Sequence, residues 1–269
     1  MKGYTTINSF YDTGEEAAYR MKLLKLTQTQ VDKVFIDNNF GRSNYIKNGI
    51  QNAGKLVYIP NGIETEEEHV FDKQLEAKIH QQISLAANEK IWLNVSRFAR
   101  QKDHETLVEA FALLVKESPA NKLILIGDGG LVPQITSLVK EKGLEAHIFY
   151  LGRINDIYTL CTMSHFYACS SYYEGMPIII MQAMLYKLPI VSTAVGAIPD
   201  LISDGLSGYT CVSKNPVALC DAMKKMLMAG PAKQEAMGEE ACRTIKNEFS
   251  TARLGHTYLA NYKTVISGV

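Results

Sequence analysis

Three basic residues, Arg97, Arg100 and Lys102, fall within the loop 96–103. A guanidinium is a planar fork and an ammonium a point charge, and together they suit the oxygens of a diphosphate. A solvated basic loop is the plainer alternative, because charge runs usually face water. An acid, Glu174, lies in the segment 170–177, SSYYEGMP, where Pro177 stands at the expected first position of a helix, a position that tolerates the missing N–H. From residue 178 to 186 the side chains are apolar almost all round, apart from Gln182, so this helix belongs against a sheet. Its N-terminus aims free N–H groups and partial positive charge at the loop, which suits a phosphate. A carboxylate at the same mouth is costly unless a ligand or a basic side chain meets it. Glu174 therefore reads as a binding-site residue in preference to a solvated loop acid. The glycine turn 127–130 fails the dinucleotide fingerprint, because no third glycine falls at the required offset.

These residues need elements to position them. Apolar runs predict strands over 91–95, 123–127, 148–151, 166–169, 188–191 and 209–212. Helices are expected over 104–116, from the glycine turn to 142, over 155–163, 178–186, 216–228 and 233–247, and from 251 toward 266. A loop is expected over 194–199. Alternation at this spacing means βαβ units in a doubly wound α/β parallel sheet. Such sheets bind ligands at the carboxyl ends of their strands, and the basic loop and Glu174 both fall there. Upstream, a helix is expected over 15–26, strands over 31–36 and 55–59, a turn at 38–41 and a short helix over 43–52. The polar stretch that follows, with its acidic run 64–68, reads as a linker.

Composition narrows the classes. At 269 residues and 46% hydrophobic, the chain can bury a full core. Acids and bases number 28 each, so a nucleic-acid partner has no electrostatic support. Five cysteines without a CxxC pair, and histidines without metal-ligand spacing, argue against zinc and for buried free thiols in a reducing cytosol. No apolar run approaches the ~18 residues of a membrane span, and residues 1–16 lack the apolar core of a signal peptide.

The span from about Lys55 onward resembles the retaining glycosyltransferases of family 4 (glycosyl transferases group 1), which have the GT-B fold of two facing Rossmann-like domains. The resemblance rests on VYIPNGIE at 57–64, NVSRFARQKDHETLVEAF at 94–111, LILIGDGG at 123–130 and FYLGR at 149–153. It continues in EGMP at 174–177, PIVSTAVGAIPDLISDGLSGY at 189–209 and EFSTARLGHTYLANY at 248–262. It implies that Arg97 and Lys102 bind the donor phosphates and that Glu174, the first and catalytic glutamate of the motif, faces the donor sugar. Backbone N–H groups around Gly175, Met176 and Pro177 would meet sugar and phosphate oxygens. The family's second glutamate, which holds the ribose, falls on Gln182. An amide keeps two hydrogen bonds there but loses the charge-assisted pair. A second departure is Lys187-Leu188 ahead of Pro189, where the family usually carries a glycine.

The resemblance further implies a reaction and a division of the chain. A hexose-type sugar would pass from a nucleotide diphosphate donor to a hydroxyl acceptor with retention. That acceptor would be a glycan or lipid-linked saccharide in polysaccharide biosynthesis. No cofactor and no metal are expected. Residues 1–63 would be the remnant of an acceptor-binding domain with its hinge, 64–250 the donor domain, and 251–269 a helix crossing back. Val34, Ile36, Val57 and Ile59 are then expected to be unusually exposed or covered by another chain. A truncated product is the preferred explanation of the short front, ahead of a split enzyme completed by a partner chain and a non-catalytic module. The rival functions are a nucleotide-sugar-binding subunit and a sugar-nucleotide epimerase. The expected setting is the cytoplasm, with peripheral attachment to the inner membrane face as the alternative.

Overall fold

The structure, a computed structural model, describes residues 3–7, 22, 25, 26, 28–49 and 53–267. The helix expected over 15–26 lies largely outside them. Two parallel sheets make the frame. The first has the order β1 (Gly3–Ile7), β2 (Val31–Ile36), β3 (Leu56–Tyr58). The second holds six strands: β4 (Lys90–Val95), β5 (Asn121–Ile126), β6 (Ile148–Tyr150), β7 (Phe166–Cys169), β8 (Ile190–Thr193) and β9 (Tyr209–Cys211). Its order is β6-β5-β4-β7-β8-β9, and every pairing is parallel.

That order reverses between β4 and β7. Strands β4 to β6 are laid down in one direction and β7 to β9 in the other, so the loops leaving β4 and β7 diverge and open a crevice between them. Both faces of the sheet are covered, which is why β5 is buried along its whole length and reads as a continuous apolar run from Leu123 to Ile126. One face packs α3 (His104–Glu117), α4 (Val132–Glu141) and α8 (Pro216–Met228) over Trp92, Leu123 and Phe166. The other packs α2 (Lys73–Ile83), α5 (Ile157–Met163), α6 (Ile178–Leu185) and α9 (Pro231–Glu248) over Leu93, Ile124 and Tyr167. The fold is of the GT-B type, α/β and Rossmann-like, as expected.

Several local expectations need correction. Helix α2 occupies a stretch with no helix predicted. Leu75, Ile79 and Ile83 recur every four residues, a one-sided stripe diluted by polar neighbours, and Asp72 caps it by accepting from the N–H groups of Gln74 and Leu75. Helix α1 (Asn39–Lys47) begins four residues before its expected start. The supposed turn at 38–41 is its cap, with Asn38 accepting from the Gly41 N–H at 2.6 Å. Pro177 is the N-cap of α6 and not its first helical residue. The loop expected over 194–199 runs into a short helix, α7 (Ile198–Leu201).

The first sheet is better covered than expected. Val34, Ile36 and Ile59 are buried, and Val57 is only part-exposed. Helix α10 (Thr251–Ser267) returns across this sheet, where Phe35 meets Tyr258 and Tyr262 edge-on at 5.3 and 5.7 Å and joins Ile59 and Leu254 in one cluster. The crossing points are hydrogen-bonded to each other. The Ile63 N–H donates to the Phe249 carbonyl at 2.9 Å, and the Thr251 N–H donates to the Ile63 carbonyl at 3.0 Å. A further tie joins the sheets: Asp200 on α7 accepts from both the backbone and side-chain N–H groups of Asn39, at 3.0 and 3.1 Å.

Candidate functional site

The crevice beside β4 and β7 is built from two loops hydrogen-bonded together. After β4 the chain makes a short 3-10 turn, Arg100–Lys102, and Asp103 takes a left-handed conformation (φ 48°) to cap α3. Ser170 donates its hydroxyl to the Lys102 carbonyl at 2.9 Å, and the Tyr172 N–H donates to the Gln101 carbonyl at 3.0 Å. The glycine turn supports the same loop from behind. The Phe98 N–H donates to the Asp128 carbonyl at 2.7 Å, and a Cβ on Gly127 (φ 137°) would lie 2.0 Å from the Ser96 carbonyl oxygen. Only glycine fits there.

At the centre Lys102 Nζ donates to both Glu174 carboxylate oxygens, at 2.7 and 2.8 Å. Glu174 is 4% exposed, and Ser171 donates its hydroxyl to Oε1 at 2.6 Å. This answers how a buried acid is tolerated at a helix mouth: a cation and a hydroxyl satisfy it. Cys169 Sγ lies 3.9 Å from Oε1, and burial, then the Glu174 charge, push its thiol pKa up, so it stays a neutral thiol. The backbone of Glu174 is held as tightly. Gly196 (φ 55°) passes so close to the Glu174 carbonyl that a Cβ would overlap the oxygen at 1.6 Å.

A cavity of about 170 Å³ opens here, walled by Ser96, Arg97, Lys102, Glu174, Pro177 and the first turn of α6, residues 178–180. The N–H groups of that turn have no partner inside the helix. Val95, Ser96, Arg97 and Ile179 are shared with a second cavity of about 430 Å³, which extends over Gly127, Asp128, Arg153 and Asn155. Arg97 is exposed on the common wall. Two cationic side chains, one of them shared with Glu174, and the N–H groups of the first turn of α6 border one space, a set that can hold a small polyanion.

The structure thus brings Arg97, Lys102, Glu174 and Pro177 to one cavity, while Gly175, Met176 and Gln182 are not in its wall. Met176 is buried, and Gln182 is half-buried further along α6. Lys187 takes φ 61°, the left-handed region, so the position where the resembled family carries glycine has a backbone that wants one. Ser96, Ser171 and Arg153 had no role assigned from sequence. Arg153 follows β6 at a strand carboxyl end, which was the available signal. Among the described residues there is no group of three or more His, Cys, Asp or Glu side chains placed to hold a metal, and no helix long and apolar enough to cross a membrane.

The profile of the family described as Glycosyl transferases group 1 matches residues 76–244. The chain is 28% identical over 200 residues to the N-acetyl-alpha-D-glucosaminyl L-malate synthase of Bacillus anthracis, covering 74% of this chain and 52% of that protein. It is 26% identical to the poly(ribitol-phosphate) alpha-N-acetylglucosaminyltransferase of Staphylococcus aureus over 71% of this chain and 39% of that one. The chain therefore spans about half or less of the length of these curated relatives. Among solved structures, a glycosyltransferase of Rickettsia africae superposes with a TM-score of 0.85 at 20% identity, covering 99% of this chain and 71% of that one. Anabaena HepE in complex with UDP superposes at 0.84 with 19% identity, covering 97% and 72%.

Proposed function

This chain belongs to the group 1 glycosyl transferases, and from that premise we propose that it is the donor-binding part of a retaining, family 4 hexosyltransferase that uses a nucleoside diphosphate sugar. The observation that carries the reading is the convergence of Arg97, Lys102 and the α6 N-terminus on one cavity with Glu174. The larger cavity on the far side of Arg97 is wide enough for the nucleoside. The smaller one takes the diphosphate and the anomeric end of the sugar. UDP is the nucleotide in the HepE complex, and N-acetylglucosamine is the sugar in the names of both curated relatives. They supply the first donor to try.

In this mechanism the chain's own groups stabilise the leaving group. Arg97, the Lys102 N–H not engaged by Glu174, and the N–H groups of residues 178–180 face the charge that develops on the diphosphate as the glycosidic bond breaks. Glu174, fixed on both its side chain and its carbonyl, presents its polar edge to the donor sugar. No metal has a part in this scheme. The acceptor is a saccharide or lipid-linked hydroxyl, the role polysaccharide synthesis, and the setting the cytoplasm.

The test is calorimetric titration with UDP and with uridine. Arg97→Ala should weaken UDP binding by about 1.5–3 kcal/mol, the range for hydrogen bonds to charged groups, and leave uridine binding nearly unchanged. A parent protein that binds neither UDP nor uridine would sink the assignment. Turnover of UDP-N-acetylglucosamine in the presence of a chelator then tests transfer without metal.

A further inference from the structure

Behind the basic loop lies a buried imidazole that the scheme above does not use. His104 is the first residue of α3, two positions after Lys102, and is 2% exposed. Its Nε2 lies 2.9 Å from Ser96 Oγ, and the same oxygen lies 2.9 Å from Asn94 Oδ1. Asn94 Nδ2 donates to the Ala168 carbonyl on β7 at 2.8 Å. The protons along this chain are determined in turn. Asn94 spends an amide N–H on Ala168, so its Oδ1 is an acceptor. Ser96 has one hydroxyl proton, and Oδ1 takes it. The Ser96 oxygen is left to accept, so His104 Nε2 must carry its proton. The other ring nitrogen, Nδ1, is buried and finds no partner among the described residues.

The ring is also fixed in plane, stacked on Phe98 with centroids 4.1 Å apart and 10° between planes. Ser96 and Phe98 are the residues on either side of Arg97, and both are held by His104. Ser96 itself walls both cavities.

We propose that His104 is a positioning residue for the diphosphate subsite: as a neutral ring protonated on Nε2, it fixes Ser96 and Phe98 and so sets the reach of Arg97 and Lys102. This inference rests on the donor-binding function proposed above. Burial and the nearby Lys102 charge push the His104 pKa down to about 4, which agrees with a ring that stays uncharged behind two cations. The arrangement explains why an uncharged hydrogen-bond donor stands here: a third positive group would repel the two bases that the phosphates need.

Two measurements decide it. Nitrogen-15 spectra of the labelled protein near neutral pH should show His104 Nε2 protonated and Nδ1 bare. The opposite tautomer, or a ring protonated at both nitrogens, overturns the assignment. Titration with UDP and uridine supplies the functional arm. His104→Gln, which keeps a donor near the Nε2 position, should bind UDP within about threefold of the parent. His104→Leu should bind UDP about tenfold more weakly, the loss of one buried hydrogen bond, with uridine affinity held within about threefold. A folded His104→Leu protein that binds UDP as the parent does overturns the positioning role alone. Equal losses for UDP and uridine do the same, since they mark general damage. If His104→Leu fails to fold, a His104→Gln protein weakened as much as Arg97→Ala overturns it. A parent blind to UDP overturns the donor-binding function itself, and the positioning role with it.

Discussion

Lys102 and Glu174 stand 72 residues apart in sequence and meet through two hydrogen bonds, at 2.7 and 2.8 Å, with the carboxylate nearly sealed from solvent. Removing one partner of such a pair leaves the other charged and desolvated, at a cost of about 3–5 kcal/mol when both are buried. Lys102 is part-open, so Lys102→Ala should destabilise toward the low end of that range. Lys102→Met combined with Glu174→Gln should recover most of the loss in urea unfolding. A double variant no more stable than Lys102→Ala would mean that the pair is not what holds the carboxylate.

Gln182 offers a gain-of-affinity test. Restoring the acid with Gln182→Glu should exchange neutral hydrogen bonds to a ribose for charge-assisted ones, worth about 0.5–1.5 kcal/mol of extra UDP affinity. The gain should vanish with 2′,3′-dideoxy-UDP as the titrant. Equal gains for both nucleotides would place Gln182 away from the ribose.

Gly196 has no room for a methyl group. Gly196→Ala combines a left-handed residue with overlap onto the Glu174 carbonyl, and should cost roughly 2–5 kcal/mol. Thermal unfolding measures it, and UDP binding should fall as well, because the carbonyl cannot move without its side chain.

Lys187 runs the other way. Its left-handed backbone is strained for a lysine, and its side chain makes an exposed ion pair with Glu239 at 2.7 Å, of small worth. Lys187→Gly should therefore stabilise the fold by about 1 kcal/mol. A fall in the urea midpoint would show that the ion pair outweighs the strain.

Stability should depend on pH through one buried and one half-buried histidine. His104 and His165 are both pushed down to about 4, by burial first and then by nearby lysines. His165 Nδ1 also accepts the Ile91 N–H at 3.1 Å. In the unfolded chain each regains a pKa near 6.5. Between those values the unfolded state binds more protons, so stability rises with pH and is lost as pH falls from about 6.5 to about 4. The loss is on the order of 3 kcal/mol for His104, and smaller for the more open His165. His104→Gln should flatten part of that slope in urea unfolding followed across this window.

Much of this was legible in the residues. The apolar runs of the strands and the period-3.6 patterns of the helices in the second half are strong because both faces of the six-stranded sheet are covered, so β7, at 166–169, and α8, at 216–228, fall where expected. The approach of Glu174 to a base was legible as well, because a buried acid at a helix mouth needs one. Helix α2 was obscured because only Leu75, Ile79 and Ile83 mark its buried side. The covering of Phe35 by Tyr258 and Tyr262 depends on contacts more than 200 residues apart, which no local pattern encodes. His104 was likewise silent, since a lone histidine on an apolar helix carries no sign of the ring it stacks on.

The paired crossing at Ile63 has a mechanical consequence. Because Ile63 bonds to Phe249 on one side and Thr251 on the other, the two connections between the sheets are one ribbon and not two independent threads. A ribbon flexes across its flat face and resists shear along its length, so the motion to expect of this joint is rotation about the line through Ile63 and Ser250. The Asn39–Asp200 bonds are a separate tie between the sheets, and such a rotation would have to strain them. The cavity beside Lys102 and Glu174, walled by strands, loops and the first turn of α6 that all belong to the six-stranded sheet, should be carried along by such a movement as one piece.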